Sequence, residues 1–187
     1  MTNSDFSSLF VEHVIQPLRA VGFVTAGQSL YFDDANKHVA LIRGGGRLAR
    51  PGAIVHILAL RFVYMRDTGS DRSFPSSPPR HCESYPYLLD PNELHKATTA
   101  EFSFDPEHHW RKPWGYLHYQ GVDDGHIIQS LKGLTASILE RWLPLGDRLT
   151  PKIVQTQLSP HLEKWWNARI WHEDCQTYLQ GNVNKTA

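Results

Sequence analysis

Residues 6–32 read FSSLFVEHVIQPLRAVGFVTAGQSLYF, and this stretch decides the fold. Phe6, Leu9, Phe10, Val14, Leu18 and Val21 recur at three- and four-residue spacings, so a helix buries them along one stripe. Asn3 or Ser4 is placed to cap its start, with Asp5 in the first turn. Pro17 removes a backbone donor and is expected to bend or interrupt the last turns. Gly22 then closes the helix, because a left-handed C′ conformation is easily reached only by Gly. Phe23 and the apolar Leu30-Tyr31-Phe32 follow, so the helix leads into a sheet.

Working outward, three strands are expected at residues 24–32, 38–43 and 54–65, separated by Asp33-Asp34-Ala35-Asn36 and by Gly44-Gly45-Gly46. The third is the most telling. One alternation carries His56, Leu58, Leu60, Phe62 and Tyr64, the other Val55, Ile57, Ala59, Arg61, Val63 and Met65. Both are mostly apolar, so this strand is central and covered on both faces. Residues 66–84 are polar, rich in Ser and Pro, and read as a long loop. A short helix from Pro91, a strand around Phe102 and Phe104, and a last strand over residues 114–119 complete the sheet region.

The final third is helical. Asp123 or Asp124 caps a helix with the stripe Ile127, Leu131, Leu134, Ile138 and Trp142. Thr150-Pro151 and Ser159-Pro160 each have the form of an N-cap followed by Pro at the first helical position. The last helix places Leu162, Trp165, Trp166, Arg169 and Ile170 near one face and frays at Gly181, leaving residues 181–187 as a disordered tail. The expected fold is therefore a single α+β domain over residues 1–187. It has an N-terminal helix, an antiparallel or mixed sheet of about four to five strands, and C-terminal helices packed on that sheet.

The opening also carries a resemblance. Phe10, Val14, Ile15, Pro17-Leu18, Gly22-Phe23, Gly27 and Leu30-Tyr31-Phe32 make residues 10–32 similar to a bacterial family of domains of unknown function, number 4304 in that series. The likeness is close over the first third and is one of outline beyond it. At the end of the second strand, where family members often have Gln, this chain has Arg43-Gly44. The family implies the same helix, strands and closing helices, and it brings no catalytic residues. Related small domains occur among immunity proteins of bacterial competition systems, which is an analogy of fold.

Composition narrows the function. Lys plus Arg and Asp plus Glu both count 19, which argues against a surface evolved for phosphate backbones. No signal peptide is read at MTNSDFSSLF, and no apolar run approaches the ~20 residues of a membrane span. Two cysteines, Cys82 and Cys175, make no disulfide framework and suit a reducing compartment. The expectation is a cytoplasmic protein without a membrane partner.

Several constellations merit weighing. Arg43-Gly-Gly-Gly-Arg47 offers a basic, Gly-rich turn, but no helix follows as in a P-loop, so a plain strand connection is favoured. Arg61 lies mid-strand among apolar neighbours and needs a buried partner, most naturally a carboxylate; the structural role outweighs an anion-binding one. The segment His108-His109-Trp110-Arg111-Lys112-Pro113-Trp114 is dense in side chains that anchor interfaces. Equally, Trp110 and Trp114 can cap the core between sheet and helices. Adjacent His residues on a strand point to opposite faces, and no zinc spacing is present, so neither metal nor cofactor is expected. His172 and Cys175 stand three apart on a helix, but a late-helix Cys is more often a small buried apolar group than a nucleophile.

These readings point to a non-enzymatic binding protein, immunity- or antitoxin-like, whose partner is a protein such as a toxin. His109, Trp110, Arg111, Trp114 and His118 are its candidate binding residues, together with Arg61, Tyr64 and Arg66. The alternative is a small hydrolase or an anion- or small-ligand-binding domain with a pocket around Arg61 and His118, joined by His56, Tyr64 and Arg66.

Overall fold

The first helix, α1, opens as Asn3–Phe10, passes through one π turn at Val11–Ile15 and closes as Gln16–Ala20 in the computed structural model, which describes residues 1–68, 72–98 and 102–183. Thr2 is the cap, one residue before the expected position. Its hydroxyl accepts the Asp5 N–H while the Asp5 carboxylate accepts the Thr2 N–H, so two orphan donors are satisfied reciprocally. Phe6, Phe10, Val14 and Leu18 are buried as the stripe requires. Pro17 does not interrupt the helix. It lacks the N–H that would reach the His13 carbonyl, and the Thr135 hydroxyl donates to that carbonyl at 2.7 Å instead. The wider π turn just before it accommodates the proline ring. Gly22 then ends the element at φ +105°, as expected of a C′ glycine.

The segment expected as one strand is a hairpin: β1 (Val24–Ala26) and β2 (Ser29–Asp33), turning at Gly27-Gln28 with Gly27 at φ +62°. Next come β3 (Lys37–Arg43) and β4 (Ala53–Phe62), then β5 (Tyr87–Leu89) and β6 (Gly115–His118). Every pairing is antiparallel, in the order β1-β2-β3-β4. β5 and β6 share the remaining edge of β4 end to end, β5 along Leu58–Leu60 and β6 along Ala53–His56. No strand forms at Phe102 and Phe104; Phe104 enters the core from irregular chain.

One helical turn, α2 (Glu107–Trp110), precedes β6. The long helix α3 runs over residues 124–148, as Asp124–Ser137, a π turn at Ile138–Trp142, and Leu143–Arg148. Its π turn precedes Pro144 as the first precedes Pro17, so both prolines are accommodated alike. α4 (Pro151–Leu158) is capped by Thr150 as expected. Ser159-Pro160, however, starts only a 3-10 turn, Ser159–His161, and the last helix, α5, spans Trp166–Val183. It passes through Gly181 without fraying there; residues 184–187 of the expected tail lie outside the described residues. The chain is thus α+β, with helices before and after an antiparallel sheet. Among the described residues no helix is long and apolar enough to cross a membrane.

Every residue of β4 is buried. Its alternation sends Ile54, Leu58, Leu60 and Phe62 into a cluster with α1, α3, α4 and α5. Ile57 and Ala59 face a second cluster with Tyr31, Ala40, Ile42, Cys82, Tyr85 and Leu88. No α-helix of the described residues contributes to that second cluster. The described part of the polar excursion that follows β4, residues 66–68 and 72–84, closes on this face as a strap through Cys82 and the adjoining Tyr85, around the 3-10 turn Cys82–Ser84.

Candidate functional site

Arg61 explains how an irregular strap is held. It is fully buried, and its guanidinium donates to the Ser84 carbonyl at 2.9 Å and to the Met65 carbonyl. These two acceptors lie at opposite ends of the strap. The expected carboxylate partner is therefore replaced by main-chain carbonyls, while Asp67 and Asp174 act on the cation only electrostatically. The Tyr85 hydroxyl donates to Pro79 O at 2.7 Å and the Ser84 hydroxyl to Asp67 at 3.0 Å, tying the strap to itself. Burial lowers the Arg61 pKa. No face of this guanidinium is presented to a ligand.

Arg66 and Tyr64 are drawn toward α5. The Arg66 Nε donates to Asp174 at 2.6 Å, its backbone N–H to the same carboxylate at 2.7 Å, and its Nη2 to Glu173 at 3.3 Å. The Trp171 indole donates to the Arg66 carbonyl at 3.2 Å. Tyr64 stacks on Tyr178 with centroids 4.5 Å apart, and burial raises its phenol pKa.

The register of β4 and β6 keeps the alternative pocket from assembling. His118 is the Cα partner of Ala53 and so shares the face of Val55, Ile57 and Arg61, whereas His56 points to the helical face. Ala53 stands eight residues from Arg61, roughly 26 Å along an extended strand. Arg61, His56 and His118 do not converge.

The segment over residues 108–114 also divides. His108 bonds Leu88 O at 2.9 Å, and His109 reaches Pro86 O at 3.4 Å while packing on Phe104 and Trp171. Burial, with Lys112 and His108 nearby, pushes the His109 pKa down to about 4. Lys112 closes α2 by donating to His109 O and pairs with Glu83 at 3.3 Å. Trp114 turns under the second face, against Gly44. A Cβ on Gly44 would sit 3.1 Å from the Trp114 ring, so glycine there gives the indole its seat.

Trp110 goes the other way. It is 77% exposed, with one edge against Trp165 at 5.7 Å. Trp166, next in the chain, is 51% exposed, and the Arg72 guanidinium lies 4.7 Å over its ring. Arg111 is exposed beside Trp110. These residues make an aromatic end between α2 and the start of α5. Sequence reasoning found Trp110 and Arg111 but placed Trp165 and Trp166 together near one face of the last helix and did not single out Arg72. The missed signal was the Trp doublet itself, since consecutive side chains on one element diverge and both cannot face the core.

Cys82 and Cys175 are both buried thiols pushed up to about 12, the reverse of an activated nucleophile, and they lie in the two separate core clusters. Among the described residues no group of three His, Cys, Asp or Glu side chains is placed to hold a metal ion. Set against known protein families, curated proteins and solved structures, the chain finds no match.

Proposed function

We propose that this chain is a non-enzymatic cytoplasmic binding protein that seats a protein partner on the aromatic end formed by Trp110, Trp165 and Trp166. An immunity- or antitoxin-like role, with a toxin as partner, is the concrete form of that reading. The observation that carries it is Trp110, which leaves 77% of its surface in water although indoles are highly buried on average. Trp and Arg dominate interface hot spots because they bury wide, stiff surface and keep a polar handle. Two exposed Trp side chains, Trp110 followed by Arg111 and Trp166 beneath Arg72, are joined through Trp165, which touches the first and precedes the second in the chain. The balanced charge favours a protein over a nucleic acid. The likeness of residues 10–32 to the bacterial domain family motivates the immunity-like form.

Affinity capture from the native host, with the wild-type chain and the double variant Trp110→Ala, Trp166→Ala side by side, tests the proposal. The expected result is one protein retained stoichiometrically by the wild type and lost by the variant. Capture of nothing at any stoichiometry, or equal retention by both, overturns it.

A further inference from the structure

His56 and Arg43 are Cα partners across β3 and β4, beneath α1. Both line a cavity of about 290 Å³, near the lower end of small-molecule pockets. Its inner wall is apolar, from Phe6, Phe10, Ile15 and Ile54. Phe10 stacks on the His56 imidazole with centroids 5.2 Å apart and planes 10° apart, giving one flat side. Exposed Ser7, Val11 and Gln28 rim the mouth. Val11 and Ile15 are the two ends of the first π turn, so the widened turn described above is itself part of the wall. Such turns recur at functional sites.

Two groups in this cavity lack what their chemistry asks for. His56 is 4% exposed, and its Nε2 has no hydrogen-bond partner among the described residues. A contact with the Gln28 backbone favours the protonated ring, as a ring N–H donating to a carbonyl does, whereas burial and Arg43 hold the pKa down at about 3. The imidazole is therefore neutral near pH 7, with Nε2 as a buried acceptor. A buried acceptor left unmade in this way is destabilising until a donor meets it. Arg43 is half-buried, and among the described residues no carboxylate lies within ion-pair distance of it. The cavity wall contains no Asp or Glu. An unneutralised guanidinium beside an unpartnered acceptor, against flat aromatic surface, describes the complement of a ligand.

We propose that this cavity binds a small organic acid whose carboxylate pairs with Arg43, whose hydroxyl or N–H donates to His56 Nε2, and whose aromatic body lies against Phe6 and Phe10. A planar guanidinium takes a carboxylate through two parallel hydrogen bonds. The site is separate from the aromatic end and does not rest on the protein-partner reading.

Para-hydroxybenzoate, benzoate and para-hydroxybenzyl alcohol, titrated into the full chain and followed by amide chemical shifts, separate the parts. The hydroxy acid should bind saturably, with shifts centred on residues 7–11, 27–28 and 43. Benzoate, lacking the donor, should bind about tenfold more weakly. The alcohol, lacking the carboxylate, should bind at least about thirtyfold more weakly. Arg43→Met should cost the hydroxy acid a similar factor. Val11→Trp fills the mouth at a surface position and should abolish binding while the fold persists, so the test survives any instability of the Arg43 variant. Arg141 lines a neighbouring cavity on the other side of His56. Binding lost in Arg141→Met and kept in Arg43→Met would place the acid there and overturn the assignment. So would no saturable binding of either acid at about 10 mM, a free energy too small for a built site.

Discussion

Trp110 and Trp114 stand four residues apart, yet one is 77% exposed at the end of the helical layer and the other is packed beneath the strap-covered face of the sheet. α2 ends at Trp110, and between the two indoles the chain swings to the stretch of the β4 edge beyond β5, where β6 begins at Gly115. The two indoles thus pass to different sides of the molecule. A cluster in sequence need not be a cluster in space, and the core-capping reading of this segment holds for one of its tryptophans only. Trp114 packs on the core. Trp110 stays in water.

The largest effect expected belongs to the layer on which Trp114 rests. Arg61→Met leaves the Ser84 and Met65 carbonyls without their donor, at a cost of about 3–5 kcal/mol. Limited proteolysis should then cut within residues 66–84 first, and the Trp110 environment should not change. Cleavage beginning instead in the helices would break the distinction between the two faces.

Trp114→Ala comes next. A part-buried indole seated on Gly44 and packed on the second cluster should be worth about 2–3 kcal/mol, and for a chain of this size that lowers Tm by roughly 4–12 °C.

Acid should reveal the buried groups beneath the other half of the segment. His109 is held down to about 4 and His56 to about 3, both below the ordinary histidine value of 6.5. The unfolded chain therefore binds protons that the folded chain refuses. Their contribution is fully present above pH 6.5 and is lost as pH falls toward 4 and then 3, by up to about 1.4 kcal/mol per pH unit for each histidine. His38, on the strap face, is lowered in the same direction by burial, with Asp33 opposing. Denaturant midpoints measured at pH 7, 6 and 5 should fall, and His109→Gln should flatten the decline. A flat wild-type profile would contradict the buried, neutral placement of these rings.

Much of the scaffold could be read before the structure. The stripe of α1, the exit at Gly22, the two-sided burial of β4 and the stripe of α3 are repeating local patterns, and packing follows them. The strap was not legible, because its order comes from one buried cation bridging main-chain carbonyls, and carbonyls leave no mark on residue type. The turn at Gly27-Gln28 was written in the sequence as Gly in a two-residue hairpin position, but Val24 before it and Leu30-Tyr31-Phe32 after it read together as one strand. The His56 cavity depends on a β3–β4 register and on a π turn, neither of which residue spacing reveals. His56 and Arg43 were seen singly; their pairing was not.

The smallest expected effect is the most telling. Thermal unfolding of the double variant Trp110→Ala, Trp166→Ala asks whether the aromatic end supports the fold or only presents a surface. Exposed side chains with one ring edge and one cation over a ring should contribute about 0.5 kcal/mol, so Tm should stay within about 2 °C of wild type while Trp114→Ala falls well below it. A drop in the double variant as large as that of Trp114→Ala would mean that Trp110 and Trp166 hold the fold together, and would contradict their assignment to a partner.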